Sequence, residues 1–165
     1  MPTDNELALL ALRLGESLLQ RGLTIATAES CTGGYLSKLI TDMPGSSRWF
    51  DSGVVTYSNE AKQRQLGVSA ETLESHGAVS EATVIEMAVG ALVVSSAHRS
   101  IAISGVAGPD GGSQAHPVGE VWFGRAVRMP NGQYGAMGMR RQFDGNRDAV
   151  RRHSVAYALQ MLLEA

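Results

Sequence analysis

The sequence predicts an α/β fold: a single-domain α/β/α sandwich over residues 1–165, with a mixed sheet that is parallel early and antiparallel late. Three observations predict it. Helix-period and strand-like segments alternate through the first two thirds of the chain. Two longer strand patterns then follow one another across Pro130-Asn131-Gly132, a hairpin signal. The length of 165 residues, with 44% hydrophobic and 18% charged residues, suits one sizeable core.

Each element has a local signature. Thr3-Asp4-Asn5-Glu6 reads as a capping box, and Leu7, Leu10, Leu14 and Leu18 follow at helical spacing until Arg21-Gly22. A strand over Leu23–Ala28 leads into Thr27-Ala28-Glu29-Ser30-Cys31-Thr32-Gly33-Gly34. A helix then runs to about Thr41, stopped by Pro44-Gly45. Trp49–Tyr57 reads as a strand region broken at Gly53. Ser58 or Asn59 caps a short helix through Leu66, and a second runs from Ala70 to Ser75. Ser80 caps a long helix, Glu81–Ala97, with Val84, Ile85, Ala88 and Leu92 on its apolar face. Ser100–Ser104 is a short strand entering the glycine-rich loop Gly105–Gly112. Val118–Met129 and Gln133–Phe143 are the two hairpin strands, and Arg147–Leu163 is the last helix. Ser30, Tyr57 and Ser104 all fall where predicted strands end, the place where α/β folds bind ligands.

Composition narrows the function classes. A formal net charge of -2 gives no global attraction to nucleic acid or membrane. The single cysteine, Cys31, excludes an internal disulfide framework and fits a reducing cytoplasm. No apolar run reaches the roughly 20 residues of a membrane span, and Asp4 and Glu6 argue against a signal peptide. None of His76, His98, His116 and His153 pairs at i, i+4, and no cysteine cluster joins them, so no metal is expected. No cofactor is expected either.

The octet Thr27–Gly34 sets hydroxyls, a thiol, a carboxylate and two glycines at a strand-to-helix turn. Such a turn can present a nucleophile, and Thr32, Gly33 and Gly34 can offer backbone N–H groups to an anion. Ser104 and Gly105 begin a second donor-lined loop, which lacks the Gly-Lys-Ser/Thr ending of a P-loop. Lys62 falls in the first turn of its helix, where the dipole and partial burial both favour the neutral amine. A neutral lysine can take a serine proton. Tyr57, just before that helix, can hydrogen-bond a serine or relay its proton. Cys31 lacks a histidine partner and reads as a packing residue. Seven of the fourteen Lys+Arg lie in Arg125–Arg152, a local bias that fits a phosphorylated small molecule.

These motifs carry a resemblance. Thr27–Gly34, Gly45-Ser46-Ser47, Gly53–Asn59 with Lys62, His76–Ser80, Ser104–Gly112, Pro117-Val118-Gly119 and Arg147-Asp148 together resemble the CinA C-terminal-domain family. Its stand-alone members include nicotinamide mononucleotide (NMN) deamidases. The resemblance implies metal-independent hydrolysis of NMN to nicotinate mononucleotide and ammonia in pyridine nucleotide recycling. It implies Ser30, Ser47, Tyr57 and Lys62 as the catalytic group, with Ser30 preferred as nucleophile. In the competing arrangement Ser47 attacks and Ser30 binds substrate. Arg147 matches the family's arginine near a helix start and joins Thr32, Gly33, Gly34, Ser104 and Gly105 in holding substrate. A homo-oligomer is expected. Two positions depart from the family pattern: His116 replaces a lysine before Pro-Val-Gly, and Asn146 replaces an acidic residue. The alternative reading is a non-catalytic nucleotide- or partner-binding module of the competence/damage-inducible type.

Overall fold

Helix α1 (Asp4–Arg21) opens on a complete capping box between Thr3 and Glu6 and closes on left-handed Gly22. In the computed structural model, which describes residues 1–164, there follow β1 (Ile25–Glu29), α2 (Tyr35–Thr41), a 3-10 turn (Ser46–Arg48) and β2 (Phe50–Val55). Next come α3 (Asn59–Leu66), α4 (Ala70–His76) and α5 (Glu81–Val93). The chain ends with β3 (Arg99–Gly105), β4 (Glu120–Arg128), β5 (Tyr134–Gln142) and α6 (Arg147–Leu163). Helices α3, α4 and α5 each start on a serine that accepts from a backbone N–H three residues on: Ser58, Ser69 and Ser80.

The five strands form one sheet in the order β2-β1-β3-β4-β5. Strand β1 pairs in parallel with β2 and β3, while β3–β4 and β4–β5 are antiparallel. The expected mixed sandwich is therefore present. Strand boundaries lie within two residues of expectation, and two features differ more. Helix α5 stops at Val93, because the chain must turn to begin β3. Gly53 lies inside an unbroken β2: a Cβ there would sit 2.5 Å from Ser37 Oγ, so glycine admits α2 rather than ending the strand.

Strand alternation sorts the core into two faces. Ile25, Ile101, Ile103, Val121 and Phe123 pack with residues of α1, α2 and α6. Ala26, Ala28, Ala102 and Ala126 face α5 and its neighbours. Small side chains on this second face let α5 approach closely. A Cβ at Gly124 of β4 would lie 2.0 Å from the Val84 carbonyl, and one at Gly90 of α5 2.0 Å from the Leu66 carbonyl.

Register then positions the site. Glu29, the last residue of β1, is level with Val55 of β2 and Ile103 of β3. Ser30 and Thr56-Tyr57 consequently leave the sheet beside Ser104-Gly105, the last two residues of β3.

Candidate active site

A cleft of about 290 Å³ lies at these strand ends, lined by Ser30, Cys31, Tyr57, Lys62, Ser104 and Arg147 among others. Lys62 is fully buried, with 1% of its surface exposed. Its ammonium donates to Ser30 Oγ at 3.0 Å and to the Thr56 carbonyl at 2.9 Å. No carboxylate pairs with it among the described residues. Burial disfavours the charged form and lowers the Lys62 pKa below the ordinary lysine value. A neutral amine here keeps its donation to Thr56 and can accept the Ser30 proton instead. Burial drives the neighbouring Cys31 thiol the other way, up to about 11, so it stays protonated near neutrality.

Arg147, the first residue of α6, reaches over the cleft. It donates to the Gly108 carbonyl at 2.8 Å and to Tyr57 Oη at 2.9 Å. A cation at a helix N-terminus is electrostatically unfavourable, so its place there rests on these two partners. Asn146 accepts from the Ala149 N–H and caps α6 as an aspartate would. His116, the other departure, places Nδ1 3.4 Å from buried Glu120 and does not line the cleft. Ser104 lines the cleft, but its hydroxyl donates to the Ala78 carbonyl at 2.7 Å. Gly105 is the last residue of β3; a Cβ there would meet the Glu120 carbonyl at 2.6 Å, so close strand approach accounts for this glycine.

Two sets of expected site residues lie outside this cleft. Ser47 lies exposed in the 3-10 turn before β2, at the strand's start, whereas Ser30 and Tyr57 sit beyond the strand ends. It does not line the cleft of its own chain. The N–H groups of Gly33 and Gly34 do not form an open anion cradle either. Buried Glu29 accepts from Gly34 N–H at 3.1 Å, Leu36 N–H at 3.0 Å, Ser37 N–H at 2.8 Å and Ser37 Oγ at 2.7 Å. Gly33 N–H is spent on the Ser30 carbonyl at 3.0 Å. A fixed carboxylate already satisfies the start of α2 and would repel a second anion. Gly33 and Gly34 line a different cavity, between α1, α2 and α6.

Sequence reasoning missed the Thr56 carbonyl, Glu29 and Asp110, which also lines the cleft. A lone acid between a strand and a glycine-rich turn was the available signal for Glu29. Nothing local marked Thr56. Among the described residues, no group of three or more His, Cys, Asp or Glu is placed to hold a metal ion, and no helix is long and apolar enough to cross a membrane.

The fold and cleft define a class: an α/β/α protein with a buried serine–lysine pair at the carboxyl ends of parallel strands. Residues 8–165 match the CinA C-terminal domain, and the chain belongs to that family. It is 55% identical over 160 residues to the nicotinamide-nucleotide amidohydrolase PncC of Escherichia coli K12, covering 97% of this chain and 94% of that protein. Identity to the Pseudomonas putida protein of the same name is 51% over 157 residues, covering 94% of each. The crystal structure of the competence/damage inducible protein CihA from Agrobacterium tumefaciens superposes with a TM-score of 0.89 at 42% identity, covering 100% of this chain and 98% of that one.

Proposed function

We propose that this protein is a nicotinamide-nucleotide amidase, converting NMN and water to nicotinate mononucleotide and ammonia. The observation that carries the reading is the buried Lys62–Ser30 contact of 3.0 Å, in a chain about half identical to amidohydrolases of that name. Lys62, whose pKa burial lowers, takes the Ser30 proton in its neutral form as Oγ attacks the carboxamide carbon. The N–H of Cys31, next to the nucleophile, is the donor we assign to the developing oxyanion. The tetrahedral adduct collapses, its C–N bond breaks, and Lys62 returns the proton to the departing nitrogen as ammonia leaves. Water, deprotonated by Lys62, then cleaves the Ser30 ester to release the carboxylate product.

Arg147 is the cleft cation that fits the ribose phosphate, since a guanidinium offers paired donors to phosphate oxygens. Tyr57 Oη, which accepts from Arg147, orients that guanidinium. We place the reaction in the cytoplasm. The outer strand β5, with one edge unpaired among the described residues, is the surface we assign to self-association.

The test is ammonia release from NMN by EDTA-treated protein beside Ser30→Ala and Lys62→Met. Release by the wild type and a loss of about 10²–10⁴-fold in each variant is the expected result. No release by folded wild type refutes the assignment and brings the non-catalytic binding module forward.

A further inference from the structure

The turn that carries Ser30 is held from behind by a residue outside the cleft. Arg151, one helical turn after Arg147 on α6, donates from Nη2 to the Thr32 carbonyl at 2.7 Å. The peptide unit whose oxygen it grips also contains the Gly33 N–H, which donates to the Ser30 carbonyl at 3.0 Å. A single peptide group therefore connects the guanidinium to the residue bearing the nucleophile, and aligned hydrogen bonds of this kind polarise one another.

The charge on Arg151 is also unusual for its surroundings. Its neighbour Arg152 is paired with Asp4 and Asp148, and Lys38 with Asp42. Arg151 has no carboxylate partner among the described residues; it lies over the Tyr35 ring at 5.7 Å and leaves Nε buried and unpaired. A half-buried guanidinium kept at that cost on one backbone carbonyl fits a role in positioning. Its field reaches Cys31, the residue beside Ser30, where it favours negative charge. Helix α6 thus ties together all three strand-end loops: Arg147 binds those after β2 and β3, and Arg151 binds the one after β1.

We propose that Arg151 is a positioning residue for Ser30, fixing the nucleophile turn and polarising its backbone through the Thr32–Gly33 peptide. The proposal rests on Ser30 being the nucleophile of the amidase reading. It predicts an effect on turnover rather than on substrate affinity, because Arg151 does not line the cleft.

The geometry also supplies a test that a purely structural role would not meet. A cavity of about 670 Å³ opens onto Arg151 beside Gly33, Gly34 and Tyr35, wide enough to admit a small guanidinium ion. Arg151→Ala, Arg151→Met and Arg151→Lys would be assayed for kcat and KM with NMN, and for the rate at which a fluorophosphonate labels Ser30. Thermal melts would be run alongside. We expect kcat and labelling to fall about 10–100-fold in Arg151→Met, consistent with loss of a charge-assisted hydrogen bond. KM should stay within about 3-fold, and millimolar ethylguanidinium should restore part of kcat in Arg151→Ala. Arg151→Lys, which keeps a charge, covers the case in which the shorter variants fail to fold, and should retain more labelling than Arg151→Met.

Unchanged kcat and labelling in folded variants would overturn the proposal, as would a rise in KM that accounts for the whole loss. A loss that follows the melting temperature without guanidinium rescue would also overturn it. Wild-type protein labelled at Ser30 but inert toward NMN would refute the substrate assignment alone, leaving the labelling comparison to decide on Arg151. Wild type that neither turns over NMN nor labels would overturn both.

Discussion

Replacing Glu29 with glutamine tests whether the start of α2 is held by a carboxylate. One oxygen accepts from Gly34 and Leu36 N–H, the other from Ser37 N–H and Oγ. A glutamine has the same shape but can accept at only one end. If its NH₂ faces Gly34 and Leu36, two buried donors oppose a donor. The cheaper flip points it at Ser37, whose hydroxyl can rotate to accept it and donate to Thr27 Oγ1, 2.8 Å away. The Ser37 N–H is then stranded, at about 2 kcal/mol. The two remaining bonds fall from charge-assisted to neutral, losing about 1 kcal/mol each. Contacts this close do not add fully, so the net loss is about 2–4 kcal/mol. That is a large share of a typical stability of about 5–15 kcal/mol. Urea unfolding followed by tryptophan fluorescence should show the midpoint falling by about 1–2 M with little change in slope. A shift below about 0.3 M would refute the argument and leave the start of α2 open to other ligands.

Four further predictions concern the site and its support. The acid limb of kcat/KM for NMN should track Lys62 deprotonation and lie below the ordinary lysine pKa of about 10.4; a limb at or above that value would remove lysine as the base. Because the folded state binds this proton less tightly than the unfolded chain, wild-type stability should rise relative to Lys62→Met as pH climbs from the folded pKa toward the unfolded one, as read by calorimetry. Ser47→Ala should leave kcat/KM within about 2-fold of wild type, as for an exposed position away from the chemistry; a loss of 100-fold or more would restore Ser47 to the reaction. Gly90→Ala, whose Cβ would meet the Leu66 carbonyl at 2.0 Å, should cost about 1–3 kcal/mol by forcing α3 off α5, and activity should fall because α3 carries Lys62.

The sequence by itself determined the element order, most boundaries and the mixed character of the sheet. Those signals are short-range: a capping box at Thr3, N-cap serines at Ser58 and Ser80, glycine at the end of α1, and a Pro-Asn-Gly turn. They fix local backbone geometry wherever the segment lies. The family resemblance added Lys62, Tyr57 and Arg147, and the structure brings these to one cleft with Ser30. Only the tertiary structure decided what depends on distance through space. The order β2-β1-β3-β4-β5 aligns the ends of β1, β2 and β3, and so separates Ser47 from Ser30 by the length of a strand. The burial of Lys62 joins residues 32 positions apart, and the grip of Arg151 on Thr32 spans 119. No spacing rule records contacts of that range, because they exist only once two core faces have closed around the sheet. Glu29 shows the same limit at short range: its carboxylate could have faced a ligand or its own helix, and packing turned it inward to the backbone of α2.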